Sequence, residues 1–284
     1  MSSTTLVIPC YNEERRLDGP AFLRFAAANA SVRLLLVNDG SRDQTLGLLR
    51  RLADERPIQI SVLDLAQNSG KAEAVRQGML QALSEGADYA GYFDADLATP
   101  LEASIEFTRV LDRLRGIDVV VGSRLQLLGR AINRRRKRAF LGRVFARAAS
   151  MTLGIAIHDT QCGAKLFRAT PWVAAAFDQP FCTRWIFDVE VLARIAQSTE
   201  AAGGPSLTEC VYEFPLDDWR EVAGSKLKAT DFLKAPAELA QIYWRYLGPF
   251  RSEATPVVEM PRVVLSLARE DARPAEQDAA RRAA

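Results

Sequence analysis

From Thr4 onward the chain alternates short apolar runs with longer stretches whose apolar residues recur every three or four positions. The runs TTLVIP, RLLLVND, IQISVLDL, YAGYFDAD and IDVVVGS have the β-branched and aliphatic density of strands. Between and around them, Glu13 to Asn29, Arg42 to Glu55, Gly70 to Gly86 and Leu101 to Arg115 read as helices. This alternation predicts an α/β fold with a mostly parallel, Rossmann-like sheet flanked by helices and ligands beyond the carboxyl ends of the strands. After residue 125 the pattern changes to a basic helix from about Arg134 to Leu153, a glycine turn into AKLFR and a helix from about Phe187. A Gly-Gly-Pro loop at 203–205, a strand LTECVYEF and a helix from Lys228 to Leu247 follow.

The predicted strand ends are chemically dense. They read Pro9-Cys10-Tyr11-Asn12-Glu13, Asn38-Asp39-Gly40-Ser41, Asp94-Ala95-Asp96 and Gly122-Ser123-Arg124. On a strand, Asp94 and Asp96 would point the same way and converge on one target, and a divalent cation bridging a diphosphate would offset their charge. A turn leading into a helix cap is the alternative reading. Asp39 could accept the N–H of a pyrimidine base or brace its own loop, while Ser41 or Asp43 can cap the next helix. Gly70 and Lys71 open a helix where N–H groups and an ammonium can hold phosphate, although the earlier glycine and later Ser or Thr of a Walker loop are missing.

Composition changes this picture little. With 284 residues, 25% of them charged and a net charge of +2, the chain belongs among ordinary globular proteins. Its four cysteines are widely spaced without a CxxC pair, which argues against a disulfide framework or zinc site and for a reducing, cytoplasmic setting. The single histidine, His158, has no partners for a metal cluster or catalytic triad, and a loop role or a hydrogen bond to Asp159 is expected. No apolar run approaches the ~20 residues of a membrane span, so membrane contact is expected to be peripheral, on the cytosolic face. Charge is unevenly spread: Arg130 to Arg147 holds eight Lys or Arg and no Asp or Glu.

VIPCYNEE, VNDGSRDQT, NSGKAEAV and DADLATP, in this order at successive strand ends, resemble the family 2 glycosyltransferases of GT-A fold. VVGSR, DTQCGAKLF, RWIFDVEVL and WREVAGSKLK extend the resemblance to about residue 230, towards the dolichyl-phosphate β-glucosyltransferase and polyprenyl-phosphate branch. The resemblance implies one catalytic domain over 1–228, with a nucleotide-sugar half at 1–125 and an acceptor half at 126–228. A C-terminal helix at 229–250 and a disordered tail at 251–284 would follow. It implies that Pro9, Tyr11 and Glu13 frame the nucleoside, Asp39 reads the base and Lys71 sits near the nucleotide. Asp94 would contact ribose or metal, and Asp96 would ligate Mg²⁺ or Mn²⁺. Mannose synthase relatives can use a Gln two residues after the second Asp as a further ligand; Ala98 stands there, leaving that position to water or phosphate oxygen.

In the basic helix, Leu141, Val144, Phe145, Ala148 and Met151 recur at helical spacing while Arg136, Arg143 and Arg147 fall on another face. A solvated charged face is one reading; an anionic lipid surface or phosphate acceptor is the other. Nucleic acid is not expected, because no recognition motif or basic stripe with stacking aromatics is present. A lipid phosphate is already an anionic nucleophile near neutral pH and needs cations rather than a base. Arg124 and Arg138 match arginines of the polyprenyl-phosphate branch, with Arg143 and Lys226 in support. A hydroxyl acceptor would instead require a base, for which Asp188 is the candidate, the alternative being a helix-start Asp favoured by the dipole. Gln161 and Trp219 are assigned to the acceptor side, although Trp185 and Trp219 could equally pack in the core, as Cys162 is expected to do.

The expectation is an inverting, metal-dependent transfer of a hexose, glucose foremost, from a UDP- or GDP-sugar to a polyprenyl phosphate. The same chemistry on a soluble or other lipid hydroxyl acceptor, an inactive nucleotide-binding membrane-surface protein and a nucleotidyltransferase are the alternatives.

Overall fold

The computed structural model describes residues 2–133, 136–222, 229–249 and 251, and for 136–138 and 229–233 the backbone alone. The chain runs β1 (Thr4–Cys10), α1 (Gly19–Ala28), β2 (Val32–Asp39), α2 (Thr45–Glu55), β3 (Ile60–Leu65), α3 (Lys71–Ser84), β4 (Tyr89–Phe93), α4 (Ala103–Arg113) and β5 (Val119–Ser123). It continues through β6 (Ala131–Asn133), α5 (Arg136–Leu153), β7 (Ala164–Arg168), α6 (Pro171–Asp178), α7 (Phe187–Ala201), α8 (Leu207–Cys210), β8 (Val211–Pro215), β9 (Asp218–Arg220), α9 (Ala229–Ile242) and a π-helical turn, Tyr243–Leu247.

Seven strands form one sheet in the order β3-β2-β1-β4-β7-β5-β8, parallel except for β7, which runs antiparallel to both neighbours. The period-two pleat places alternate residues of each strand in separate cores. Leu6 and Ile8 of β1 join Phe22 and Phe25 of α1 on one face, while Val7 joins Val75 and Met79 of α3 on the other. Full burial of such side chains contributes about 1.5–3 kcal/mol each before chain entropy opposes it.

Several boundaries differ from the sequence expectation for identifiable reasons. The first helix starts at Gly19 rather than Glu13, because Asp18 Oδ1 accepts the Ala21 N–H at 3.0 Å and Pro20 favours a first-turn position. The second starts at Thr45, whose N–H and hydroxyl both donate to Asp43. LTECVYEF is not strand throughout: Ser206 and Glu209 form a reciprocal capping box that winds Leu207–Cys210 into a helical turn before β8 begins. β6 and β9 pair in parallel as a separate two-stranded ribbon, which the periodicity did not signal.

On α5 the apolar positions divide. Phe145, Ala146, Ala149 and Leu153 are buried, but Leu141, Val144 and Met151 face outward at 45%, 54% and 76% exposure, beside exposed Arg143 and Arg147. The expected apolar stripe is therefore split, because neighbouring helices cover one side of α5 only. Among the described residues no helix is long and apolar enough to cross a membrane. The expected tail lies outside the described residues apart from Arg251, which pairs with Glu200 at 2.7 Å.

Candidate functional site

A pocket of about 710 Å³ opens at the carboxyl ends of β1, β2, β4 and β5. Pro9, Tyr11, Glu13, Asp39, Lys71, Asp94, Asp96, Arg124, Gln161, Asp188 and Trp219 all line it. Arg143 does not: it is exposed on α5, whose pocket-lining residues are Gly142, Phe145 and Ala146. The Arg138 side chain and Lys226 lie outside the described residues.

The strand geometry expected for Asp94 and Asp96 is not what brings them together. β4 stops at Phe93, and the two acids occupy a turn in which the Leu97 N–H donates to the Asp94 carbonyl and Leu97 itself has φ +55°. The turn is fixed from β7's approach, where the Asp94 N–H donates to the Gly163 carbonyl at 3.0 Å. Gly163 leaves room for the carboxylate: a Cβ there would sit 1.9 Å from Asp94 Oδ2. Lys71 Nζ meets Asp94 Oδ1 at 2.5 Å. Desolvation alone would lower the Lys71 pKa, but Asp94, Asp188 and Asp96 together hold it above its usual value.

Asp96 receives less. The Ala98 N–H donates to its Oδ1 at 3.0 Å and Arg16 stands 3.8 Å from Oδ2. Burial, aided by the like charge of Asp94, raises its pKa above the ordinary aspartate value. Two hard oxygen donors at a pocket turn, one of them held unfavourably as an anion, fit a divalent cation that takes its other ligands from phosphate and water. Among the described residues no group of three or more His, Cys, Asp or Glu side chains gathers to hold a metal without such help.

Asp39 braces the loop before α3. Its Oδ1 accepts the Ser69 N–H at 2.7 Å, and its Oδ2 accepts the Gly70 N–H at 3.0 Å and the Asn68 amide at 2.9 Å. Burial nevertheless lifts its pKa, with Glu73 adding to the lift against these hydrogen bonds.

On the opposite wall, Arg124 Nε and Nη2 grip Asp159 at 2.6 and 2.8 Å, and the guanidinium lies 5.3 Å over the Trp219 ring. Trp219 is thus buried and pocket-lining at once. His158 does not bond Asp159 through its ring; Nδ1 lies 2.8 Å from Glu213 Oε2, and Glu213 also accepts the backbone N–H groups of His158 and Asp159. Cys162 is fully buried, and burial pushes its thiol up to about 11.

Asp188, in the first turn of α7, is more than a helix-start acid. Its Oδ1 accepts from Tyr92 Oη at 2.7 Å and from Nζ of fully buried Lys165 at 2.5 Å. Lys165 also donates to the Cys162 carbonyl at 2.8 Å. Sequence reasoning missed Lys165, Asp159, Arg16 and Arg184. A lone lysine inside the apolar strand AKLFR was a signal for a buried carboxylate partner; Arg184 carried none beyond its place in RWIFDVEVL.

This architecture is the GT-A glycosyltransferase fold. Over 86% of this chain it is similar, at TM-score 0.58 and 14% identity, to 79% of a Mycobacterium tuberculosis glucosyl-3-phosphoglycerate synthase crystallised with Mn²⁺, UDP-glucose and phosphoglyceric acid. The family model for glycosyl transferase family 2 matches residues 5–171, and the chain belongs to that family. It is 35% identical to dolichyl-phosphate beta-glucosyltransferase ALG5C of Trichomonas vaginalis, over 84% of this chain and 70% of that protein. The dolichyl-phosphate beta-glucosyltransferase of Drosophila melanogaster is 32% identical over 86% of this chain and 75% of its own length.

Proposed function

We propose that this protein transfers glucose from UDP-glucose to a polyprenyl phosphate, with inversion, at a membrane surface. The observation that carries the reading is that one pocket joins the acidic turn at Asp94 and Asp96 to the inner face of the basic helix α5. The names of the relatives supply the acceptor class, and the UDP-glucose and Mn²⁺ of the structural neighbour supply the donor and metal class.

In this reading Pro9, Tyr11 and Glu13 frame the nucleoside and Asp39 accepts a base N–H. Asp96 and Asp94 would hold a divalent cation, which would supply electrostatic stabilisation of the negative charge that develops on the leaving diphosphate. Lys71 turns from Asp94 towards phosphate oxygen when the donor enters. Arg124, oriented by Asp159, retains guanidinium donors beyond the two engaged there, and these position the acceptor phosphate with Arg138 and Lys226 in support. The phosphate oxygen attacks the anomeric carbon from the face opposite the nucleotide and needs no base. Asp188, pinned by Lys165 and Tyr92, and Gln161 and Trp219 orient the sugar and acceptor.

The surface beside the pocket supports a peripheral membrane contact. Phe140, Leu141, Val144 and Met151 of α5 are exposed among Arg143 and Arg147, and Tyr243 and Trp244 are exposed on the π-helical turn that packs against α5.

The test is transfer of radiolabelled glucose from UDP-glucose, with Mg²⁺ or Mn²⁺, into an organic-extractable polyprenyl phosphate, beside a metal-chelated control. Metal-dependent lipid label is expected. Metal-dependent UDP binding without lipid label would overturn the acceptor and leave a hydroxyl acceptor, with Asp188 as its base.

A further inference from the structure

Arg184 lies in the segment between α6 and α7, and nothing in the reaction described above uses it. Its mounting is rigid. The N–H groups of Cys182 and Thr183 and the Thr183 hydroxyl all donate to the Glu190 carboxylate, at 2.9, 2.8 and 2.7 Å. Glu190 is fully buried and is gripped in turn by Arg194 and the Tyr246 hydroxyl, at 2.7 and 2.8 Å. The two residues before Arg184 are therefore tied to the interior of α7, while the Arg184 side chain itself is exposed and lines the pocket.

The guanidinium faces the Asp39 wall. Arg184 Nη2 lies 3.4 Å from where a Cβ on Gly70 would stand, and the Gly70 N–H donates to Asp39 Oδ2. Gly70 has φ +91°, so it both makes the turn into α3 and leaves the space the guanidinium occupies. The Arg184 charge favours the ionised form of Asp39, yet Arg184 makes no hydrogen bond or ion pair among the described residues. A cation and a buried carboxylate thus look into one pocket without touching.

Lone-pair accounting defines what fits between them. An ionised carboxylate offers about four acceptor positions. Three on Asp39 are taken, one on Oδ1 and two on Oδ2. The position left on Oδ1 requires an N–H, and the guanidinium lining the same pocket beside Gly70 requires an acceptor. A base edge with a ring N–H adjacent to a carbonyl meets both demands, as in uracil and guanine. Cytosine and adenine present the reverse, a ring-nitrogen lone pair beside an amino donor, which would set lone pair against carboxylate and N–H against guanidinium.

The geometry points to Arg184 as a specificity residue that reads the nucleobase carbonyl next to the N–H taken by Asp39. This rests on the pocket holding a nucleoside-diphosphate donor. The experiment is calorimetric titration of UDP, GDP, CDP and ADP, each with Mg²⁺, into the full chain and its Arg184→Met and Arg184→Lys variants. Wild type is expected to bind UDP or GDP at least about tenfold more tightly than CDP or ADP. Arg184→Met is expected to weaken the favoured nucleotide about 10- to 100-fold, the range of a hydrogen bond to a charged group, and CDP about threefold or less. Arg184→Lys should keep part of the discrimination, because one ammonium can still donate to a carbonyl. Equal weakening of all four diphosphates would make Arg184 a phosphate contact and overturn the inference, as would unchanged binding. Wild type that binds no nucleoside diphosphate would overturn the donor reading itself, an outcome distinct from lost discrimination.

Discussion

The pocket rim and the anchor beneath α7 both set carboxylates against cations in low-dielectric surroundings, but they are compensated differently. At the anchor, burial would raise the Glu190 pKa, yet Arg194, the Cys182 N–H, the Thr183 hydroxyl and Tyr246 hold it below the usual glutamate value. At the rim, burial wins: Asp39 and Asp96 both sit above the usual aspartate value despite nearby N–H donors and cations. The anchor is completed by its own chain. The rim leaves Asp39 and Asp96 incompletely compensated by the chain, which is the electrostatic condition of a site completed by a ligand.

The sharpest break of this contrast is Asp96→Asn. Under the proposed function, losing a carboxylate that would hold a divalent cation at the diphosphate should lower transfer about 10³-fold, read by the lipid-label assay, with the circular dichroism of the fold retained. Wild-type turnover in this variant would sink the metal assignment.

Glu190→Gln attacks the compensated side. It leaves Arg194 buried without its counter-charge and should cost about 3 kcal/mol in urea unfolding at pH 7. Because the folded pKa of Glu190 is lowered, its stabilisation is complete above the ordinary glutamate value of ~4.3 and is lost as pH falls through the folded value. The gap between wild type and variant should therefore narrow in acid; a constant gap would show that charge is not the cause.

Gly163→Ala tests the turn without touching a charge. The added methyl must displace the Asp94 carboxylate, so donor binding measured by calorimetry should weaken about 10-fold, the cost of one displaced charged contact. The smallest effect has the opposite sign. A raised folded pKa means that an ionised Asp96 costs the ligand-free fold stability, increasingly as pH climbs above its ordinary value of ~3.9. Asp96→Asn should thus raise the ligand-free melting temperature at pH 7 by about 2 °C even as it lowers transfer.

Much of this was legible in the sequence, and the reason is local. Apolar periodicity fixed the alternation from β1 to β5, because side-chain direction follows from period two or 3.6. The polar residues at the strand ends then had to share one rim, since parallel strands put their carboxyl ends on the same side. That is how Asp39, Asp94, Asp96 and Arg124, distant in sequence, could be assigned to one pocket before any contact was known.

What tertiary structure alone decided are the pairings that no period encodes. The antiparallel insertion of β7 between β4 and β5 brings buried Lys165 to Asp188 and sets Gly163 against Asp94. The division of α5 into buried and exposed apolar residues depends on which neighbours cover it. Arg184 reaches the Asp39 wall only because Glu190, six residues later in the chain, ties down the segment before it. Local sequence sets which way a side chain points along its own element; the partner it meets depends on long-range packing, and in this protein those partners determine which charges are compensated and which are left for a ligand.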